Sequence, residues 1–180
     1  MHHLPNIISA FRILLVLPIA FYLHHEEWMV ALVLIFIAGL SDALDGFLAR
    51  KFHWQSRLGS FLDPIADKLL LIVIFVSLAV KELIPIWLAV IVVARDAIIV
   101  AGAAYYQWKT RNLEMSPLIS SKINTAMQVV FVLGLLFHLV VAPIPNLALL
   151  FIKVAVALTT VISGVLYVLC WSRFCKKHRL

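Results

Sequence analysis

Six long apolar stretches, separated by short polar breaks, set the pattern of the chain. A helix that crosses the hydrocarbon core of a bilayer needs about 20 mostly apolar residues, and each stretch is close to that length. Backbone groups that face lipid must find partners within their own segment, so we expect each stretch to be an α-helix. The predicted spans are residues 7–23, 28–49, 59–80, 84–106, 120–141 and 146–171.

The breaks between these spans are short, and none has room for a folded domain. Of the 180 residues, 64% are hydrophobic and 13% are charged, whereas a soluble domain is about half apolar and about a quarter charged. This composition excludes an ordinary soluble fold. We therefore predict an all-α integral membrane protein in which residues 1–180 form one domain of six transmembrane helices.

Lysine and arginine are distributed unevenly along the chain. Ten of them lie in or beside the breaks after the second and fourth spans or in the C-terminal tail, whereas the three opposite breaks hold only Lys81. Because positively charged loops stay on the cytoplasmic side, this distribution predicts that both termini are cytoplasmic. The net charge of +6 then reflects topology and contact with anionic lipid headgroups, and we expect no nucleic-acid partner.

Five of the nine acidic residues lie inside the predicted spans. They are Asp42, Asp45, Asp63, Asp67 and Asp96. A charge at the middle of the bilayer costs at least about 2.5–3.5 kcal/mol on insertion scales, so such residues usually mark a functional site. The structural alternative is an internal network of ion pairs with Arg50, Lys68 and Arg95.

Four of these acids form two pairs on neighbouring spans. Asp42 and Asp45 are three residues apart and Asp63 and Asp67 are four apart, so each pair shares one helix face. At about 1.5 Å per residue, both pairs lie about 12 Å below the loop that joins the two spans. Carboxylates gathered in this way need cations, and oxygen ligands suit hard divalent ions such as Mg²⁺, Mn²⁺ or Ca²⁺. Two such ions are an arrangement that serves phosphoryl displacement.

The stretch that carries these acids has a recognisable spacing. Residues 42–67 read DALDGFLARKFHWQSRLGSFLDPIAD, which contains the complete pattern D-x2-D-G-x2-A-R-x8-G-x3-D-x3-D. This pattern resembles the signature of the CDP-alcohol phosphotransferase family. The segment LPNIISAFRILLVLP also resembles the first helix of that family, and the six spans agree with it. The resemblance extends over essentially the whole chain.

The resemblance implies a role for each matching residue. Four aspartates correspond to ligands of two divalent metal ions, Mg²⁺ or Mn²⁺, and they are Asp42, Asp45, Asp63 and Asp67. Asp67 also corresponds to the general base that deprotonates the acceptor hydroxyl. The residues that correspond to contacts with the CDP moiety are Asn6, Asp42, Gly46, Ala49, Arg50, Ser56 and Gly59. For Asn6, a helix N-cap is an equal alternative.

The family's reaction is then expected here: a phosphatidyl group passes from CDP-diacylglycerol to an alcohol, and CMP is released. Arg50 suits a phosphate contact because its guanidinium offers a planar fork of donors. The resemblance also implies a homodimer among membrane lipids, in a bacterial cytoplasmic membrane, with its active site on the cytoplasmic side.

Two further segments bear on the acceptor alcohol. The fourth span contains Ala-Arg-Asp, with Arg95, and the fifth contains Ser-Lys-x-Asn-Thr, with Lys122 and Asn124. This combination resembles the family branch that uses phosphatidylglycerol and makes cardiolipin more than the glycerol-3-phosphate branch, which remains the alternative. A dianionic phosphomonoester needs several cations, whereas phosphatidylglycerol carries one negative charge. We therefore predict that Arg95, Lys122 and Asn124 contact the acceptor; for the two cations an ion pair is the structural alternative.

A transporter of divalent cations would also hold intramembrane carboxylates. It would need acids at the midplane and a polar path to both faces. Here the outer halves of the second and third spans are apolar, which favours an enzyme.

Overall fold

Six α-helices make up the described part of the chain. The computed structural model describes residues 4–52, 59–110 and 119–177, and within them the side chains of residues 11, 13–41, 68–102 and 119–169. The helices are α1 (Leu4–His24), α2 (Trp28–Phe52), α3 (Gly59–Val80), α4 (Ile86–Thr110), α5 (Ile119–Val140) and α6 (Asn146–Lys177). No strand occurs within these ranges, so the all-helical prediction is confirmed there, and each predicted span corresponds to one helix.

The helix ends differ from the predicted span ends in two ways. α4 begins at Ile86 and not at residue 84, because Pro85 disfavours helical geometry in the residue before it. α2, α4 and α6 continue past their apolar stretches to Phe52, Thr110 and Lys177. Arg and Lys are good helix formers, so the backbone ladder extends beyond the apolar segment. α1 likewise begins at Leu4, three residues before the predicted span.

The first of two compact units comprises residues 1–85 and 132–143. In it α1 packs against both α2 and α3. The contact buries Ile19 and Leu23 of α1, Ala38 of α2, and Phe75 and Leu78 of α3, each with no exposed surface. The small side chain on α2 allows close approach of the helix backbones.

Two non-glycine residues with left-handed backbone geometry end α1 and α3. Glu26 has a φ of 64° and Glu82 a φ of 58°. The Glu27 N–H donates to the Tyr22 carbonyl at 3.0 Å, a closure that usually places glycine at the left-handed position. A residue with a Cβ is strained there, so both glutamates are held by their surroundings.

An ion pair joins the two turns. Lys81 Nζ donates to Glu26 Oε1 at 2.9 Å. The hydrogen bond and the positive charge of Lys81 together lower the pKa of the Glu26 carboxyl below its usual value. This carboxylate is largely exposed, so the pair contributes little to stability.

The second compact unit comprises residues 86–131 and 144–180. α4 packs against α6 in it, burying Leu88 and Val92 of α4 and Val156 of α6 completely. The first half of α5 belongs to the same unit and contributes buried polar side chains rather than aliphatic ones.

Two helical segments among the described side chains are long and apolar enough to cross a membrane. They are Ile119–Val140 and Asn146–Leu169. Shorter apolar helical stretches are Ile13–His24, Trp28–Ser41 and Lys68–Val80. These lengths and compositions agree with part of the six-span prediction; the number of crossings and their direction remain predictions.

Candidate active site

The backbone of α2 and α3 carries the four aspartates of the acidic motif. Asp42 and Asp45 lie on α2, and Asp63 and Asp67 lie on α3. Both segments are helical, as the predicted sharing of a helix face by residues three and four apart requires. The aspartate side chains themselves lie outside the described residues.

The chemistry of this donor set fits hard divalent cations. Each aspartate offers two carboxylate oxygens, and Mg²⁺ and Mn²⁺ prefer oxygen ligands. Among the side chains that the structure does describe, no group of three or more His, Cys, Asp or Glu residues is arranged to hold a metal ion. A metal site at the acidic motif remains a prediction.

The predicted CDP contacts occupy the ends of three helices. Gly46, Ala49 and Arg50 lie in the last three turns of α2, and Gly59 is the first residue of α3. Ser56 lies outside the described residues.

Asn6 lies in the first turn of α1, which begins two residues earlier at Leu4. It is therefore inside the helix, and the alternative that Asn6 caps this helix is wrong. Its side chain is outside the described part, and its contact with CDP remains a prediction.

Arg95 is the centre of a buried polar network in the second unit. Its side chain is almost fully buried, and Nη1 donates to Asp96 Oδ1 at 2.5 Å. Nη2 donates to Ser121 Oγ of α5 at 2.7 Å and to Ser163 Oγ of α6 at 2.5 Å. One guanidinium thus joins α4, α5 and α6. The ion pair left open as an alternative for Arg95 is present, with Asp96 as its partner.

The charges of this network cancel within it. Asp96 is 2% exposed and Arg95 is 4% exposed, so water screens neither charge. Further hydrogen bonds to the remaining donors and acceptors help a buried ion pair to offset the cost of its desolvation. The two serine hydroxyls supply part of that satisfaction, while Arg95 Nε has no partner within the described structure.

Asn124 lies on α5 one helical turn from Ser121 and is completely buried. Its Oδ1 accepts hydrogen bonds from Thr159 Oγ1 and Thr160 Oγ1 of α6, both at 2.9 Å. Its Nδ2 has no partner among the described groups. Asn124 therefore links α5 to α6 through its carbonyl oxygen, while the N–H donors of its amide remain unused there.

Gln128 continues the same face of α5 by one further turn. It has no exposed surface, and neither Oε1 nor Nε2 has a hydrogen-bond partner in the described region. An unsatisfied buried polar atom costs about 1–3 kcal/mol. Ordered water, or a ligand group that donates to Oε1 or accepts from Nε2, would therefore stabilise the unit.

Lys122 differs from the other two predicted acceptor contacts. Its side chain is exposed, whereas Asn124, two residues later, is buried. Two residues correspond to a rotation of about 200° around a helix, so the two side chains leave α5 on different sides. The structure brings Arg95 and Asn124 into one polar region, and it does not bring Lys122 there.

The sequence-based prediction missed five members of this polar region. They are Ser121, Gln128, Thr159, Thr160 and Ser163. Polar residues at 121, 124 and 128 of α5, and at 159, 160 and 163 of α6, recur with helical spacing inside otherwise apolar helices. Such stripes indicate a buried helix–helix interface, and this signal was available in the sequence.

Comparison with known proteins resolves the family. The model of the CDP-alcohol phosphatidyltransferase family matches residues 2–166. The chain belongs to this family. The match includes both the acidic motif on α2 and α3 and the polar region on α4, α5 and α6, so both regions are part of one CDP-alcohol phosphatidyltransferase segment.

Curated relatives of this chain fall into two groups by name. The human "Cardiolipin synthase (CMP-forming)" is 35% identical over 161 residues, covering 81% of this chain and 52% of the relative. The Haemophilus influenzae "CDP-diacylglycerol--glycerol-3-phosphate 3-phosphatidyltransferase" is 35% identical over 145 residues, covering 76% of each protein. A Streptomyces coelicolor "Cardiolipin synthase (CMP-forming)" is 36% identical over 105 residues, 53% of this chain and 47% of the relative.

The chain spans about half the length of the human relative, as the 52% coverage shows. Identity of 35% to relatives of both names also means that overall similarity does not separate the two groups. The choice between them must come from particular residues.

Proposed function

We propose that this phosphatidyltransferase transfers a phosphatidyl group from CDP-diacylglycerol to an alcohol and releases CMP. The observation that carries the proposal is the complete acidic motif at residues 42–67, within a chain that belongs to the family. The names of the relatives support both the CMP product and the CDP-diacylglycerol donor.

The four aspartates are proposed to hold two divalent ions, Mg²⁺ or Mn²⁺. Bound there, the ions would supply positive charge that stabilises the pyrophosphate of the donor and the departing CMP. The CDP moiety is proposed to contact a set of residues around the motif: Asn6, Asp42, Gly46, Ala49, Arg50, Ser56 and Gly59.

The transfer is proposed to be a direct displacement. The acceptor oxygen attacks the phosphorus on the diacylglycerol side and forms a new P–O bond, while the phosphoanhydride bond to CMP breaks. Asp67 takes the proton of the acceptor hydroxyl, which raises the nucleophilicity of that oxygen. The motif contains no Ser or Cys positioned by spacing as a covalent nucleophile, so no enzyme-bound intermediate is required.

Phosphatidylglycerol is the acceptor that we propose, with cardiolipin as the product. The support comes from the second unit, where the one buried cation described, Arg95, is already neutralised by Asp96. Asn124 is neutral and held by two threonines. A dianionic glycerol-3-phosphate would need several unneutralised cations, whereas the single charge of phosphatidylglycerol needs fewer. Glycerol-3-phosphate remains the second candidate because relatives bearing that name are equally similar.

The membrane arrangement is part of the proposal. All six helices are proposed to cross the membrane within one domain, residues 1–180, with both termini and the active site on the cytoplasmic side. The support is the excess of Lys and Arg in the corresponding breaks. A bacterial cytoplasmic membrane and a homodimer are the setting we propose, and cysteine labelling from each side and mass measurement in detergent test them.

Lipid product analysis is the deciding experiment. Purified protein with Mg²⁺ and radiolabelled CDP-diacylglycerol is incubated with phosphatidylglycerol or with glycerol-3-phosphate, and the lipids are separated by chromatography. We expect CMP and cardiolipin with the first acceptor and little product with the second. Rapid formation of phosphatidylglycerophosphate without cardiolipin would overturn the acceptor assignment, and no CMP release with either would overturn the reaction.

A further inference from the structure

A groove between α4 and α6 opens on the surface of the second unit. Its volume is about 400 Å³, and its walls are apolar side chains such as Ile91 and Ile98 of α4 and Val165 of α6. Arg95 also lines the groove. A Cβ added to Gly164 would lie 3.6 Å from Arg95 Cγ, so the missing side chain keeps the groove open beside the stem of Arg95.

The groove has the length of one leaflet. On α6 its lining residues fall between 160 and 169, the last ten residues of the apolar segment Asn146–Leu169. Ten helical residues rise about 15 Å, which is half of the hydrocarbon core of about 30 Å. At that depth a bilayer contains acyl chains and no headgroups. Both the apolar lining of the groove and its position therefore favour an acyl chain as the ligand.

Two residues of the groove connect it with the predicted acceptor contacts. Arg95 lines the groove and is itself one of them. Thr160 lines the groove and donates its hydroxyl hydrogen to Asn124, which is another.

We propose that the α4–α6 groove binds one acyl chain of the acceptor phospholipid, on the leaflet side where α6 ends. The inference rests on the proposed function, in which the acceptor is phosphatidylglycerol. It adds a selection that headgroup contacts do not provide: the enzyme recognises its acceptor as a lipid, by the packing of one chain against α4 and α6. A water-soluble alcohol gains nothing from this contact.

A matched pair of variants on α6 tests the groove. Val161 lines it and is 53% exposed, whereas the adjacent Ile162 does not line it and is 54% exposed. Tryptophan at position 161 fills the groove, and tryptophan at position 162 adds the same bulk to the lipid-facing surface. Val165→Trp and Leu166→Trp form a second pair, in which Val165 lines the groove and Leu166 does not.

The kinetic measurement compares phosphatidylglycerols of long and short acyl chains at saturating CDP-diacylglycerol. Val161→Trp should raise the KM for the dioleoyl acceptor about threefold or more, since the chain loses packing that bilayer lipid only partly replaces. The same variant should leave the KM for the dihexanoyl acceptor unchanged, and Ile162→Trp should change neither. Equal effects of the two tryptophans, or equal effects on both chain lengths, would overturn the proposal.

Two further measurements distinguish failure of the groove proposal from failure of the proposed function. A rise in the KM for CDP-diacylglycerol in Val161→Trp, without one for phosphatidylglycerol, would assign the groove to the donor chain and overturn the acceptor assignment.

Photo-crosslinking with a phosphatidylglycerol that carries a diazirine in one acyl chain needs no turnover. We expect crosslinks on α4 and α6 that excess phosphatidylglycerol removes and Val161→Trp weakens. Crosslinking of this kind in a protein that makes no cardiolipin would refute the proposed function alone, whereas its absence in an active enzyme would refute the groove.

Discussion

The acidic motif and the Arg95 network place charges inside apolar helices in opposite ways. Within 26 residues the motif carries four aspartates whose spacing groups them in pairs on α2 and α3. The network carries one buried arginine and one buried aspartate, and these form an ion pair with each other. A charge pair that cancels internally stabilises a particular packing of helices, whereas a group of like charges requires a cation from outside.

This contrast suggests two different roles for aspartates inside the predicted spans. The sequence marks Asp96 and Asp63 alike, as acids inside apolar spans. In the structure Asp96 has a guanidinium partner at 2.5 Å, so its charge is accounted for without a ligand. Substituting each of these residues tests whether the difference in environment is also a difference in function.

The largest effect is expected for the aspartates of the proposed metal site. Asp63→Asn removes a charged oxygen ligand and should reduce CMP release to background, while the protein still folds in detergent. Chelation of divalent ions should do the same to the wild type, and added Mg²⁺ or Mn²⁺ should restore activity. Wild-type activity that survives chelation would contradict the two-metal proposal.

Asp67→Asn sharpens the assignment within the motif. Because an amide cannot accept the proton of the acceptor hydroxyl, turnover should be lost. Binding of CDP-diacylglycerol, measured with labelled donor, should be weakened less than in Asp42→Asn. If the two variants lose donor binding equally, Asp67 acts as a ligand and not as the base.

Asp96→Asn should act on stability. It leaves Arg95 buried without its counter-ion, which costs about 3–5 kcal/mol and lowers the unfolding temperature in detergent. The double variant Arg95→Met, Asp96→Leu should recover much of that loss, because apolar residues replace a buried ion pair at little cost. Residual activity of Asp96→Asn should still depend on Mg²⁺. A fully stable Asp96→Asn would show that the ion pair does not hold the helices together.

Lys122 and Asn124 provide a contrast between an exposed and a buried residue. If Lys122 binds the acceptor phosphate, Lys122→Ala should raise the acceptor KM about tenfold, the loss expected for a charged hydrogen bond, without altering stability. Asn124→Leu should destabilise the protein by about 1–3 kcal/mol, because Thr160 loses its acceptor on Asn124 and Thr159 keeps only backbone carbonyls of its own helix. An unchanged acceptor KM in Lys122→Ala would remove Lys122 from the acceptor site.

The smallest effects are expected at the turns of the first unit. Glu82→Gly relieves a left-handed backbone and should raise stability by about 1 kcal/mol. Glu26→Gly relieves the same strain and loses the ion pair with Lys81, so its gain should be smaller. Equal gains would mean that the ion pair contributes nothing.

The Glu26–Lys81 pair also has a defined pH dependence. The pKa of Glu26 is lowered in the folded protein, so the stabilisation is present above the ordinary carboxyl pKa. It is lost as the pH falls through the lowered folded value. The difference in unfolding temperature between the wild type and Glu26→Gln should therefore shrink on acidification, and a difference that grows would contradict this assignment.

Much of the fold follows from the apolar stretches of the sequence and from the residues that begin or end helices between them. Apolar stretches long enough to span a bilayer predicted six helices, and α3 begins at Gly59 as predicted. The start of α4 was displaced by Pro85, and three helix ends lie beyond the apolar stretches because charged residues continue a helix as well as apolar ones do. Hydropathy predicts which residues would contact lipid, and it does not predict the residue at which the backbone hydrogen bonds of a helix end.

The sequence by itself determined the family and the candidate chemistry, because a metal site built from paired carboxylates needs fixed residue types at fixed helical spacing. Which charges inside the predicted spans cancel was decided by the tertiary structure. Arg95 was compatible with an acceptor contact or an ion pair, and only the packing of α4 against α5 and α6 brings Ser121 and Ser163 to the same guanidinium. The physical reason is distance: electrostatic and hydrogen-bonding partners are chosen over a few ångströms in space, and residues far apart in the chain reach that separation only through the packing of helices.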